Sequence, residues 1–264
     1  MVTGLLHKMA VQLEEPVQYR LQLDQTLLVN EWIGSPIRIS FTGKIVCSIC
    51  QKQIKKTFQD GMCYNCFMEA PEASPCILRP ELCQAHLGMG RDVEWEEAHH
   101  NQPHVVYLAA SDVVKVGVTR GTQIPTRWID QGAKHAIRLA EVPNRYEAGR
   151  LEVELKSFFT DKTNWQRMLK NVVDDAIDLV EEKWSLHDQL PQDLTQYFSE
   201  DDDIISINYP VEKYPTKVTS CSLDKTPIIE GVLSGIKGQY LIFDDGKVIN
   251  IRKHTGYEVQ MEKI

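Results

Sequence analysis

Apolar and polar residues alternate with a period of two along VQYRLQLDQTLLV (residues 17–29) and SPIRISFTGKIV (residues 35–46). That is the pattern of strands with one buried face, and Gly34, Pro36 and Gly43 punctuate it as turn residues do. Further along, VVYLAA (105–110) and VVKVGVT (113–119) predict a pair of strands, TQIPTRWIDQGA (122–133) a short helix and HAIRLAEV (135–142) a third strand. In NRYEAGRLEVELKSFF (144–159) the residues Ala148, Leu151, Leu155 and Phe158 fall on one face at helical spacing. Asn144 and Glu147 stand ahead of them as N-cap and N3 residues. The order is strand, strand, helix, strand, long helix. An acidic helix is expected over about 171–188, then a boundary at Pro191 and SEDDD, then a β-rich tail from residue 204. Within that tail Asp245-Gly246 predicts a hairpin turn.

These elements predict an α+β fold in four regions: β-rich 1–46, a cysteine- and histidine-rich 47–102, a strand-and-helix domain over 103–190, and an acidic linker with a β-rich tail over 191–264. No run of about eighteen apolar residues exists, so no membrane span is expected. The start, MVTGLLHKMAVQLEEP, does not read as a signal peptide, and a cytoplasmic location is the expectation. The net charge of −8 argues against a protein that coats nucleic acid non-specifically, because phosphate affinity comes from clustered Lys and Arg. A local basic face stays open, since DDAIDLVEEK and SEDDD hold much of the acid.

The seven cysteines change the picture. With no export signal they point to metal ligation, not disulfides. CSICQKQIKKTFQDGMCYNC sets Cys47, Cys50, Cys63 and Cys66 as two Cys-x2-Cys pairs twelve residues apart. Each pair sits on a tight turn and can aim two thiolates at one zinc, with a short hairpin between the pairs. Four thiolates leave no open position for water, so this zinc is expected to be structural. The lysines of KQIKK are available for phosphates, or form an ordinary solvated face. A second site, of zinc again, is expected from Cys76, Cys83, His86 and His100, with His99 and His104 nearby. Its irregular spacing leaves core cysteines and surface histidines as the alternative.

The central stretch resembles the GIY-YIG nuclease superfamily over roughly residues 104–165. Val106-Tyr107 is similar to the end of that superfamily's first motif, and Lys115-Val116-Gly117 to its second, followed by Thr119, Arg120, Arg127, Leu151-Glu152 and Leu155-Lys156. CSIC, YNCF, KVGVTR, PTRWIDQGA, DKTNWQRMLK and GVLSGIKGQYLIF together resemble a bacterial family of unknown function that joins an N-terminal zinc-binding region to a GIY-YIG-like domain. The resemblance implies a three-stranded sheet flanked by helices and one magnesium-dependent phosphodiesterase site. It implies that Tyr107 activates or orients water, Arg127 holds the scissile phosphate, and Glu152 binds magnesium. Lys115, Gly117, Thr119, Arg120, Gln131 and Asn164 are the supporting candidates, Asn164 being equally readable as a helix cap. Lys115 stands where the superfamily has its second tyrosine, and Gln131 where many members have a histidine. A glutamine positions water or phosphate but is no general base near neutral pH.

Three readings stay open on the sequence. One is a magnesium-dependent nuclease acting on DNA or RNA. The second is a non-catalytic module that binds nucleic acid, and the third a scaffold that binds a protein partner through the acidic helix and the tail.

Overall fold

The computed structural model describes residues 1–159 and 164–264, so the first residues of the DKTNW motif, 161–163, lie outside the described residues. In chain order come β1 (Val2–Leu5), β2 (Ala10–Gln12), β3 (Gln18–Gln22), β4 (Thr26–Leu28), β5 (Pro36–Val46) and β6 (Gln53–Ile54). Then follow α1 (Tyr64–Glu69), four short 3-10 turns and α2 (Val93–His100). The middle of the chain holds β7 (His104–Ala110), β8 (Val114–Arg120), α3 (Thr126–Asp130), β9 (His135–Val142) and α4 (Arg145–Leu155). Three helices come next: α5 (Trp165–Leu169), α6 (Leu179–His187) and α7 (Gln192–Thr195). The tail holds β10 (Ile205–Ser206), β11 (Thr219–Cys221), β12 (Ile228–Lys237), β13 (Tyr240–Phe243), β14 (Lys247–Asn250) and β15 (Tyr257–Lys263). The fold is α+β.

Two sheets carry the architecture. The central one has the order β10-β9-β7-β8 and is antiparallel throughout, with the two-residue β10 added to the three strands expected. Its middle strand β7 is buried along its whole length and alternates between two cores. Val105, Tyr107 and Ala109 face one core, with Trp128 of α3 and much of the tail. Val106, Leu108 and Ala110 face the other, against Leu151 and Leu155 of α4 and Leu179 and Leu186 of α6. Burying each such leucine is worth about 2 kcal/mol.

The larger sheet has the order β1-β15-β5-β12-β13-β14-β11, with β6 pairing the end of β5. Strands from residues 1–46 therefore interleave with strands from the tail: β5 lies between β12 and β15, and β1 pairs β15. β13 and β14 form the hairpin expected at Asp245-Gly246, with Gly246 at φ +83°.

Local differences from the sequence reading have local causes. α4 stops at Leu155, and Phe158 is 45% exposed, because the chain turns so that Phe159 packs on the second core instead. The acidic helix spans only Leu179–His187. Ahead of it Asn171 adopts φ +54° and Asp178 caps the helix, its Oδ1 accepting from the N–H groups of Val180 and Glu181 at 2.9 and 3.0 Å. Between the cysteine pairs, Gln53–Ile54 pairs back onto Ile45 and Val46, so β6 extends the large sheet in place of a hairpin internal to the cysteine segment.

Candidate functional site

The first cysteine cluster grows from the end of β5. Cys47 follows its last residue, Gln51 turns the chain at φ +59°, and Cys63 is the N-cap of α1. A tetrahedral zinc with Zn–S of about 2.3 Å needs sulfurs ~3.8 Å apart. Cys50 and Cys63 have theirs 3.9 Å apart, and the ligand atoms of Cys47, Cys50, Cys63 and Cys66 all lie within 4.8 Å of one another. The geometry fits, and this cluster can hold a zinc ion. Burial pushes the Cys47 thiol up, but hydrogen bonds from the N–H groups of Cys63, Cys50 and Ile49 outweigh it and bring the group down to about 6. The buried Cys47 is thereby prepared as a thiolate. Gly61, at φ +84°, brings the second pair's approach against the tail: a Cβ there would lie 2.6 Å from the carbonyl oxygen of Thr255.

A second buried group is Cys76, Cys83, Glu96 and His100, whose ligand atoms again lie within 4.8 Å of one another. Helix α2 presents Glu96 and His100 on one face at i, i+4 spacing. The two are hydrogen-bonded, Cys76 Sγ lies 3.7 Å from His100 Nδ1, and Ser74 Oγ donates to Glu96 Oε1 at 3.1 Å. Gly90 makes room, since a Cβ there would lie 2.4 Å from Glu96 Cγ. The group that could hold a metal ion differs from the expected set by one residue, with Glu96 in place of His86. The His86 ring stacks on Tyr146 at 4.5 Å, which turns it towards α4. His99 stacks on Trp95, and His104 bonds the Gln102 carbonyl through Nδ1. Burial lowers His104 to about 4, so it is neutral near pH 7.

Beside this cluster opens a cleft of about 800 Å³. Tyr107, Arg127 and Glu152 all line it, with Lys115, Gly117, Thr119, Arg120 and Gln131. Asn164 is not among its lining residues; its Oδ1 caps α5, accepting from the N–H groups of Gln166 and Arg167 at 3.1 and 3.2 Å. Tyr107 and Gly117 are cross-strand partners, and the phenol lies across the glycine: a Cβ on Gly117 would sit 2.5 Å from Tyr107 Cζ and Oη. The ring is thus aimed along the strand pair towards α3. There its hydroxyl donates to Gln131 Oε1 at 2.7 Å, beside the Arg127 guanidinium. Burial raises the phenol to about 12 against the opposing pull of Arg127, so Tyr107 is a neutral donor at physiological pH.

Other parts of the chain hold these pieces in place. Tyr209 donates to the Ala133 carbonyl and Gln239 to Asp130 Oδ1, each at 2.8 Å, which fixes α3 to the tail. Helix α4 presses on the cysteine segment, where a Cβ on Gly149 would meet the Glu81 nitrogen at 2.1 Å. Arg145 at the start of α4 donates to the carbonyls of Cys76 and Ile77, both at 2.9 Å. Among the described residues the cleft is lined by six fixed cations, Lys115, Arg120, Arg127, Arg145, Lys156 and Arg252, against two carboxylates, Asp60 and Glu152. The local basic face left open by the net charge is here. Arg252 is tied to Asp60 through two bonds of 2.9 and 3.1 Å, joining the tail to the segment between the first cysteine pairs.

A family model described as "Protein of unknown function (DUF2797)" matches residues 34–259. The chain belongs to this family. The match runs from just before β5 into β15 and covers both cysteine clusters and the cleft. The family description assigns no activity. Searches of curated proteins and of solved structures returned no match. Among the described residues no helix is long and apolar enough to cross a membrane.

Sequence reasoning missed Glu96, Arg145 and Arg252. Glu96 carried one usable signal, its i, i+4 relation to His100. Arg252 carried none, because it reaches the cleft only through strand pairing between distant parts of the chain.

Proposed function

We propose that this member of the DUF2797 family is a metal-dependent phosphodiesterase of the GIY-YIG type, acting on DNA or RNA, with structural zinc in its four-cysteine site. The observation that supports it is the shared cleft: Tyr107, Arg127 and Glu152 line one cavity in which cations outnumber carboxylates three to one. A polyanion is the natural ligand of such a cavity.

Glu152 is the residue to hold magnesium, which needs only one or two protein carboxylates and completes its shell with water and substrate phosphate. Magnesium there supplies charge stabilisation at the leaving oxygen. Arg127 binds the scissile phosphate and offsets its growing negative charge. Tyr107 keeps its proton at neutral pH and Gln131 takes none, so the pair orients the attacking water through hydrogen bonds. Lys115, Arg120 and Lys156 hold flanking phosphates.

A second reading, a phosphate-recognising module without catalysis, is favoured by Lys115 and Gln131 standing where the superfamily has tyrosine and histidine. One experiment separates the two. Purified zinc-loaded protein and its Glu152→Ala variant are incubated with single- and double-stranded DNA and RNA, with and without magnesium. Magnesium-dependent cleavage lost in the variant supports the phosphodiesterase; binding by both proteins without cleavage supports the module.

A further inference from the structure

The cleft has an aromatic wall that the phosphodiester chemistry does not use. Trp95 and His99, one turn apart on α2, stack with ring centroids 4.0 Å apart and planes 9° from parallel. Both are half-buried and both line the cleft. His100 packs edge-on to the same indole, with centroids 5.1 Å apart at 88°. His99 Nδ1 lies 2.8 Å from the Trp95 carbonyl oxygen, which can only accept, so Nδ1 donates to it. The stack is therefore fixed in orientation before any ligand arrives.

A stacked aromatic pair in a cleft that fixed cations also line can take a nucleobase on the outer face of the stack and the attached phosphate on a cation. Arg120, also on the cleft wall, is the cation nearest in kind to that need: it is half-buried, and among the described residues no hydrogen-bond partner turns it away from the cavity. The cleft volume of about 800 Å³ falls within the roughly 300–1,000 Å³ that small ligands fill. A paired base in a duplex hides its faces inside the helical stack and cannot reach such a wall without being flipped out.

We propose that Trp95 and His99 form a nucleobase-stacking subsite, so that the cleft takes an unpaired nucleotide. This rests on the phosphodiesterase reading only for its choice of ligand class. The nucleotide belongs either to a single-stranded oligonucleotide or to a free mononucleotide, two sources with one chemistry.

The test is binding to the zinc-loaded full chain without added magnesium. It uses a labelled single-stranded oligonucleotide, the blunt duplex of the same sequence, and AMP as a separate ligand. Base-on-aromatic stacking contributes roughly 1–3 kcal/mol per base, or about 5- to 150-fold in affinity. Trp95→Ala should weaken single-strand binding by that factor and leave duplex binding within about twofold, while Trp95→Phe keeps most of the affinity. The same pattern with AMP alone would identify a free nucleotide as the ligand and still support the subsite. Zinc content and melting temperature report whether Trp95→Ala folds, and His99→Ala, milder for the helix, gives a second reading. Equal affinity of parent and both variants for every ligand, or an equal loss with duplex and single strand, overturns the proposal. A parallel incubation of parent and Trp95→Ala with magnesium keeps the two readings apart. Trp95-dependent binding with no cleavage in magnesium would sink the phosphodiesterase reading alone, and cleavage of single strands indifferent to Trp95 would sink the subsite alone.

Discussion

The phenol of Tyr107 donates to Gln131 Oε1 across 2.7 Å, and its ring covers the Cα of Gly117 on the neighbouring strand. These two interactions fix the hydroxyl at the mouth of α3.

Gly117→Ala should disturb this arrangement. The new Cβ would lie 2.5 Å from the ring, which has to shift, and the bond to Gln131 goes with it. Overpacking of this kind costs about 1–3 kcal/mol, against the small gain that alanine normally gives in a strand. Denaturant unfolding measures the loss; unchanged stability would show that the ring has room to move.

Tyr107 also predicts an alkaline signature. Its folded value of about 12 lies above the ordinary tyrosine value of 10, so the native state holds the phenol proton more tightly than the unfolded chain. The resulting stability is fully present below about pH 10 and is lost as pH rises towards 12. Two pH units correspond to about 2.7 kcal/mol. Tyr107→Phe should flatten the fall in stability between pH 10 and 12 and leave its course below pH 9 unchanged, as followed by unfolding at stepped pH.

Cys63→Ser should remove one zinc per chain, read by elemental analysis, because three thiolates hold zinc more weakly than four. The loss should be local. Proteolysis should become faster within residues 48–62, while β5, paired on both edges, keeps the far-ultraviolet spectrum close to that of the parent.

Gly149→Ala opposes two effects. Alanine favours a helix over glycine by about 1 kcal/mol, but its Cβ would meet the Glu81 nitrogen at 2.1 Å and the Pro80 carbonyl carbon at 2.3 Å. Backbone cannot yield as a side-chain tip can, so net destabilisation of about 2 kcal/mol is expected. A stabilised variant would show that α4 can draw back from the cysteine segment at little cost.

Arg120→Ala and Lys156→Ala should weaken nucleic-acid binding across sequences. Removing one cation–phosphate pair lowers the slope of log K against log salt by about 0.7 for single strands or 0.9 for duplex. An unchanged slope in both variants would place the nucleic acid elsewhere on the surface.

The order of β7, β8, α3, β9 and α4 was legible from local signals: VVYLAA is a short unbroken apolar run of strand length, and Leu151 and Leu155 recur one turn apart. Cys47, Cys50, Cys63 and Cys66 were legible because thiolate spacing alone constrains a metal site. Glu96 was not, since a carboxylate in EWEEAHH looks like any solvated helix residue until Gly90 and Ser74 close over it. Residues 171–178 are rich enough in acid to read as a helix, yet the positive φ of Asn171 and the Asp178 cap start α6 later. The basic lining of the cleft was hidden for another reason: Lys115, Arg145 and Arg252 come from distant positions in the chain and become neighbours only through tertiary pairing.

The position of β5 between β12 and β15 has a consequence for the order of events during synthesis. β5 ends beside Cys47 of the first cysteine cluster, but both of its long neighbours come from residues 228–263. Until those residues have been made, an 11-residue strand stands with open edges except where β6 pairs Ile45 and Val46, the condition under which strands pair with other chains. Early metal capture by the cysteines would tie down one end of that strand while the ribosome finishes the tail. A chain that stops before residue 228 would leave most of both edges open for good and should be found in inclusion bodies, not in the soluble fraction.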